Sequence, residues 1–367
     1  MTLSFVDVAN AGIRCLSPFQ PGKPISEVER ELGIKNIIKL ASNENPLGAG
    51  PKAHAAIKTH LETIALYPDA SGYDLKQAIA RKWGVESNQI TLGAGSEALF
   101  VMIGQAFVKP GQEVLISQYA FATFTIATHI FQGQPVIIPA KNWGHDLDAT
   151  LAAVTPKTQL IFLANPNNPT ATWHDHNTLI KFFNQLPPHV IVVLDEAYAE
   201  FMVHHKNYPD SHALLTAYPN IIITRTFSKM YGLAGLRIGY AISHPDAASM
   251  LNRAKLPFNV GSLSMAAATA ALDDAEHIAA TLALTAEGLA YFQEEFTKMG
   301  ISFLPPAGNF ITINVERDTS PIYELLLHDG IIVRSLTANY NMPHFLRITA
   351  GTMNQNQRFI KSLRKIL

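Results

Sequence analysis

The sequence predicts an α/β protein: a large domain built on a mostly parallel sheet covered by helices, with a smaller α+β domain beside it. Three observations predict this. Short apolar runs punctuate the middle of the chain, segments long enough for crossover helices separate them, and the pattern changes character after residue 262.

The runs are VLIS at 114–117, PVIIP at 135–139, LIFLA at 160–164, VIVVLD at 190–195, NIIIT at 220–224 and RIGYAI at 237–242. Their residues are β-branched or large on both faces and do not alternate with polar ones, as strands covered above and below require. Segments 96–109, 119–131 and 172–186 suit crossover helices, so a largely parallel sheet follows. Beyond it, 262–299 is Ala-rich and helical in pattern, NFITINV at 309–315 alternates, and the short runs IIV and FLRI complete a smaller lobe. The first 35 residues carry Pro18, Pro21, Gly22 and Pro24 in a turn-rich stretch that reads as an arm. The resulting division is 1–35 for the arm and the start of the small domain, 36–270 for the large domain and 271–367 for the small one.

Composition excludes several classes. Hydrophobic residues are 48% and charged residues 16%, ample material for burial and a poor match to disorder. The net charge is −1 with no long basic run, so nothing attracts nucleic acid or an anionic membrane surface. Cys15 is the only cysteine, which excludes an intrachain disulfide and any multi-Cys zinc site. Asp7 and Arg14 fall where a signal peptide would keep its apolar centre, and no charge-free span of membrane length follows. A cytoplasmic protein is expected.

In open α/β sheets, ligands gather at the carboxyl ends of the strands. After QITL, GAGSE places Gly95 and Ser96 at a helix start whose free amides can cradle a phosphate; taken alone, without GxGxxG spacing or a Gly-Lys-Ser/Thr ending, it is more often just a tight connection. NPNNPTA at 165–171 is a turn in which Asn168 offers an amide donor. Asp195 ends a buried strand, where a carboxylate needs a cationic partner: either an ion pair within the protein or a protonated heterocycle. Tyr198 is close enough to line the same pocket. After IIIT, the stretch RTFSKMYGLAGLRIGY supplies Thr226, Ser228, Lys229 and Arg237. A single lysine on a solvated loop is unremarkable and usually just that, but one flanked by apolar residues and hydroxyls sits where its pKa could be depressed toward the neutral amine that Schiff-base chemistry needs, and Arg237 would then pair with a phosphate. One ligand meets all these demands, bearing a phosphate, a ring nitrogen, a phenolic oxygen and an aldehyde: pyridoxal phosphate.

The chain resembles the fold-type-I pyridoxal-phosphate aminotransferases, and within them the histidinol-phosphate aminotransferases, over nearly its full length. The resemblance rests on LSPFQPGKP, LASNENPLG at 40–48, LYPD at 66–69, GAGSE at 93–97, NPNNPT at 165–170, DEAY at 195–198, TFSKMYGLAGLRIGY at 226–240 and LRITAGT at 346–352, in the family's order. It implies that Lys229 is the Schiff-base lysine and that Asp195 keeps the pyridine nitrogen protonated. It implies that Asn168 and Tyr198 bond the phenolic oxygen, that Gly95, Ser96, Thr226, Ser228 and Arg237 form the phosphate cup, and that Phe121 stacks on the ring. Arg347 and Arg334 match arginines that grip the substrate's anionic end, Asn43 is placed with them, and Tyr67 looks like a residue lent to the neighbouring subunit of a homodimer.

The implied reaction transfers the amino group of L-histidinol phosphate to 2-oxoglutarate, giving imidazole-acetol phosphate and glutamate in histidine biosynthesis. Aromatic or broad-specificity amino-acid aminotransferases and threonine-phosphate decarboxylases share the motifs. Three departures stand out: Ala171 where glycine is usual, expected to alter the turn, Phe19 where many relatives have Tyr, and Leu47 at a variable position. From other classes, a silent cofactor-binding regulator is disfavoured because no DNA-binding module precedes the arm. A zinc enzyme resting on His174, His176, His204 and His205 is disfavoured because these lack HExxH spacing, so no metal is expected.

Overall fold

The computed structural model describes residues 3–18 and 22–367; Phe19 lies outside the described residues. Its thirteen strands are β1 (Ile38–Lys39), β2 (Ile90–Gly93), β3 (Glu113–Ser117), β4 (Gln134–Ile138), β5 (Thr158–Ala164), β6 (Ile191–Asp195), β7 (Ile221–Thr226), β8 (Gly239–Ser243), β9 (Ser302–Leu304), β10 (Phe310–Asn314), β11 (Ile331–Ile332), β12 (Arg334–Ser335) and β13 (Phe345–Thr349).

Seven of them form the central sheet in the order β2-β8-β7-β6-β5-β3-β4. The strands β4, β3, β5, β6 and β7 pair in parallel, and β8 runs antiparallel between β7 and β2. All six apolar runs are strands of this sheet. Both of its faces are covered, as the unbroken apolar runs require. One face carries Leu115, Ile161, Leu163, Val192, Leu194 and Ile223, packed with Phe182 and Phe183. The other carries Val114, Ile116, Phe162, Val193 and Ile222, packed with Phe100 and Phe124. The helices Ser96–Phe107, Thr123–Ile130 and His176–Phe183 occupy the three expected crossover segments.

A second, four-stranded antiparallel sheet has the order β12-β13-β10-β9 and packs through Ile311, Ile313, Leu346 and Ile348 on Phe292, Phe296 and Phe359. The aromatic residues come from the long helix Ala275–Lys298 and the C-terminal helix Met353–Ile366. The Ala-rich helix Ser262–Leu272 packs elsewhere, its Ala267, Ala268 and Ala271 joining the core of Tyr231 and Tyr240 on the large-sheet side. The two-residue strands β1 and β11 pair in parallel, so residues 38–40 reach the C-terminal part, where Leu40 enters its core.

The arm begins with short helices at Phe5–Val8 and Ala11–Arg14. Leu3, Phe5, Val6 and Val8 are exposed on it. No helix among the described residues is long and apolar enough to cross a membrane.

Candidate active site

The carboxyl ends of β5, β6 and β7 and the helix start after β2 converge on one cavity of about 440 Å³, closed on its far side by residues of the four-stranded sheet and by segment 41–44. Ser96, Phe121, Asn168, Asp195, Tyr198, Thr226, Ser228, Lys229, Arg237, Arg334, Arg347 and Asn43 all line it. Gly95 sits just behind: its φ of +83° sets the turn before helix Ser96–Phe107, and a Cβ there would lie 2.6 Å from Arg237 Nη2. Tyr67 lies away from the cavity, 82% exposed and stacked on Phe258 with ring centroids 4.6 Å apart.

At one end, helix Ser96–Phe107 begins without a side-chain cap, so its first amides face the cavity mouth unsatisfied by any side chain. Around them stand three further donors. Thr226 Oγ1 accepts from Ser228 N at 3.1 Å, the two hydroxyls are 3.0 Å apart, and Arg237 Nη1 donates to Ser228 Oγ at 3.4 Å. Glu97 Oε2 lies 3.5 Å from Arg237 Nη2, a half-exposed pair of modest strength. Positive partial charge and a cluster of N–H and O–H donors suit this end to an anion such as a phosphate.

Asp195 forms the floor. It is 5% exposed, Thr224 donates to its Oδ1 at 2.9 Å, and it makes no ion pair among the described residues. Burial, with smaller contributions from Glu196 and Glu97, pushes its carboxyl up to about 7. A buried carboxylate without a cation is costly, so the site is complementary to a group that brings a positive charge.

Lys229 stands on the turn after β7, partly buried, its Nζ donating to the Ser42 carbonyl at 2.9 Å. Burial, then the nearby Arg347, lowers its amine to about 8. Tyr198 is pushed up to about 12 by burial, so its hydroxyl stays protonated; Asn43 Nδ2 donates to that oxygen at 2.8 Å, leaving the phenolic proton to be donated elsewhere. Asn43 is itself clamped by Thr349 and Asn309, which explains how a buried residue holds φ +55°.

Arg347 does two things. Its Nη1 donates to Asn168 Oδ1 and its Nη2 to the Ala41 carbonyl at 2.6 Å. The first contact fixes the Asn168 amide so that its NH2 is the group left for the cavity. The Nε of Arg347 has no hydrogen-bond partner among the described residues, and the guanidinium lies over the Phe310 ring at 5.5 Å. Arg334 is its register partner across β12 and β13, and burial lowers its pKa.

Ala171, where an altered turn was expected, adopts φ +57° and still closes the loop by donating to Asn167 O at 2.9 Å. The left-handed backbone is kept, and alanine carries a cost of roughly 1–2 kcal/mol that glycine would avoid. Among the described residues no group of three or more His, Cys, Asp or Glu could hold a metal ion. His174 Nε2 instead meets the His145 carbonyl at 3.0 Å.

Sequence reasoning missed Tyr340, Glu97, Glu44 and the carbonyls of Ala41 and Ser42, all at the cavity wall. The backbone groups carry no sequence signal. Tyr340 ends a four-residue helix, Thr337–Tyr340, too short for periodicity or a motif to mark it.

Comparisons with known proteins identify the family. The model of aminotransferase class I and II matches residues 35–363. Histidinol-phosphate aminotransferase 1 of Mannheimia succiniciproducens is 47% identical over 100% of this chain and 99% of its own length. Histidinol-phosphate aminotransferase 2 of Pseudomonas aeruginosa is 46% identical over 99% of this chain and 98% of its own. Among solved structures, histidinol-phosphate aminotransferase from Sinorhizobium meliloti in complex with pyridoxal-5'-phosphate superposes with a TM-score of 0.89, 29% identity and 98% of each chain covered. Aspartate aminotransferase of Thermus thermophilus, at 19% identity and a TM-score of 0.82, shares the fold over 97% of this chain and 98% of that one. With the family model spanning all but the two ends and near-half identity to full-length relatives, the chain belongs to the aminotransferase class I and II family.

Proposed function

We propose that this enzyme binds pyridoxal 5'-phosphate and transfers the amino group of L-histidinol phosphate to 2-oxoglutarate, releasing imidazole-acetol phosphate and glutamate. The observation that carries the cofactor reading is the buried Asp195 carboxylate, without a cation, facing the same cavity as the Lys229 amine. The substrate reading rests on the names of the full-length relatives and on two adjacent arginines, which suit the charge and acceptor count of a phosphate.

The residues fit the group. Ser96, Thr226, Ser228, Arg237 and the helix start with Gly95 would hold its phosphate, Phe121 would cover one face of its ring, and Asn168 and Tyr198 would donate to its phenolic oxygen. When bound, the cofactor supplies an electron-withdrawing ring next to the substrate carbon that loses a proton. Lys229 would anchor it through Nζ; once the substrate's amino group displaces Nζ from the cofactor, the freed amine would take the proton from the substrate's amino-bearing carbon and return one on the product side, general acid–base work by a single group. The lowered amine pKa keeps enough of Nζ neutral to accept that proton near pH 8. Asp195, oriented by Thr224, would provide the fixed negative charge that partners the cofactor's ring nitrogen. Arg334 and Arg347 orient the substrate by its anionic end, with Asn43 supporting the hydroxyl of Tyr198.

We further propose a homodimer. Tyr67, Phe258, Leu66 and Leu256 are exposed, and Tyr67 stacks on Phe258 in a patch that a second copy would cover, bringing Tyr67 to the neighbouring phosphate site. The arm at 1–35, the large domain at 36–270 and the small domain at 271–367 remain our division of the chain, with β1 paired across it. A cytoplasmic setting suits the single free Cys15.

Steady-state kinetics with histidinol phosphate, phenylalanine and threonine phosphate test the substrate reading. We expect a clear preference in kcat/KM for histidinol phosphate; preference for either of the others refutes it. Loss of the visible chromophore in Lys229→Ala tests the anchor.

A further inference from the structure

The two arginines of the cavity sit on adjacent strands, Arg334 on β12 and Arg347 on β13, directly across from one another in register. The chain joining those strands does more than turn. It forms a short helix, Thr337–Tyr340, closed by Asn341 in a left-handed conformation of φ +52°. Its base is tied down by a hydroxyl cluster in which Thr319 Oγ1 lies 3.1 Å from Ser335 Oγ and 3.2 Å from Thr337 Oγ1. The last residue of that helix, Tyr340, is 8% exposed and lines the cavity together with both arginines.

Its ring is held from two sides. Leu336, Met342 and Phe345, the first residue of β13, share its cluster on one side, and on the other Tyr119 and Ala122 from the segment that carries Phe121, with Trp143 from the turn after β4. Tyr340 lines the cavity beside both arginines, and its hydroxyl carries a proton that it can donate to a ligand there. Burial raises the phenol's pKa, which keeps that proton in place.

We propose that Tyr340 is a specificity-determining residue that donates a hydrogen bond to the phosphoryl group of the amino donor, between the guanidinium groups of Arg334 and Arg347. The inference rests on the histidinol-phosphate reading above and deepens it. A carboxylate offers two oxygens, which two arginines satisfy. A phosphoryl group has a third terminal oxygen, and a neutral donor fixed beside the arginines serves it without adding a third positive charge that a carboxylate would also welcome.

The test is Tyr340→Phe in the loaded enzyme, which keeps the ring's packing and removes only the hydroxyl. One neutral donor lost from a charged acceptor corresponds to a loss of roughly tenfold. We expect KM for histidinol phosphate to rise by about that factor with kcat little changed, and the kcat/KM ratio of histidinol phosphate to glutamate to fall about tenfold. A second readout avoids turnover: calorimetric binding of inorganic phosphate to the loaded enzyme, whose cofactor phosphate seat is filled, should weaken by a similar factor. An unchanged ratio, or an equal loss for both donors, overturns the role of Tyr340 while leaving the substrate reading intact. A wild-type enzyme that shows no preference for histidinol phosphate over phenylalanine and threonine phosphate overturns the substrate reading, and this inference with it.

Discussion

Burying the Asp195 carboxyl costs the cofactor-free protein stability, and Asp195→Asn should reveal the cost as a pH-dependent gain in stability. Its pKa rises from 3.8 in the unfolded chain to about 7 in the folded one, mainly through burial. Between those values the unfolded state has lost a proton that the folded state retains, so stability falls as pH rises through this window and levels off above about 7. Each unit of difference is ~1.4 kcal/mol, so at neutral pH the wild type carries roughly 4 kcal/mol of penalty that a neutral asparagine does not. Asparagine keeps an oxygen for the Thr224 hydroxyl, which donates at 2.9 Å, so packing and hydrogen bonding are largely preserved. The unfolding entropy of a chain this long converts the difference to a rise in Tm of about 5 °C at pH 7, shrinking toward zero near pH 4. The assay is thermal unfolding of the cofactor-free wild type and variant at one protein concentration from pH 5 to 8. Saturating pyridoxal phosphate should reverse the order, because only the carboxylate gains from a positively charged ring. Parallel wild-type and variant curves across this range would refute the argument that the carboxylate is buried without a compensating cation.

Two further outcomes follow from the same structure. Burial lowers the Lys229 amine to about 8, so the rate at which cofactor-free protein captures pyridoxal phosphate, followed by visible absorbance, should climb through about pH 8; an inflection above pH 10 would show an unperturbed lysine. If Tyr67, Phe258, Leu66 and Leu256 are covered by a second copy, Leu66→Glu should shift the protein from about twice the chain mass toward the single chain in sedimentation and lower activity, because one isologous contact carries two unpaired charges; a wild type that sediments as a single chain rejects the dimer.

What the sequence made legible follows from the kind of signal each part emits. The central strands are buried on both faces, so their apolar runs stand out without alternation, and Asp195 and Lys229 are conspicuous because polar side chains at such strand ends are costly unless used. The pairing of β1 with β11 was invisible, since two-residue strands carry no period. The Arg347–Asn168 contact joins residues 179 positions apart, and only the fold brings them together. Tyr340 has no motif of its own; its place depends on how the loop between two arginine-bearing strands folds back on the Phe121 segment.

The register of β6 and β7 shows why adjacent residues in one motif have separate tasks. Asp195 pairs with Thr224, and successive strand residues point to opposite faces, so Asp195 and Thr224 meet at the cavity while Glu196 and Arg225 meet behind the sheet. There Arg225 Nη2 lies 2.5 Å from Glu196, its Nη1 3.3 Å from Glu200, and its guanidinium 3.8 Å over the Trp83 ring. Both members of the Glu196 pair are buried, so each is compensated by the other; Ser211 donates to Glu196 as well. The sheet therefore buries two acidic side chains in succession and gives a protein cation to only one. Leaving the first without such a partner is what creates a demand for a positively charged ligand, and a lysine or arginine reaching Asp195 from the protein itself would satisfy that demand and close the site to the cofactor.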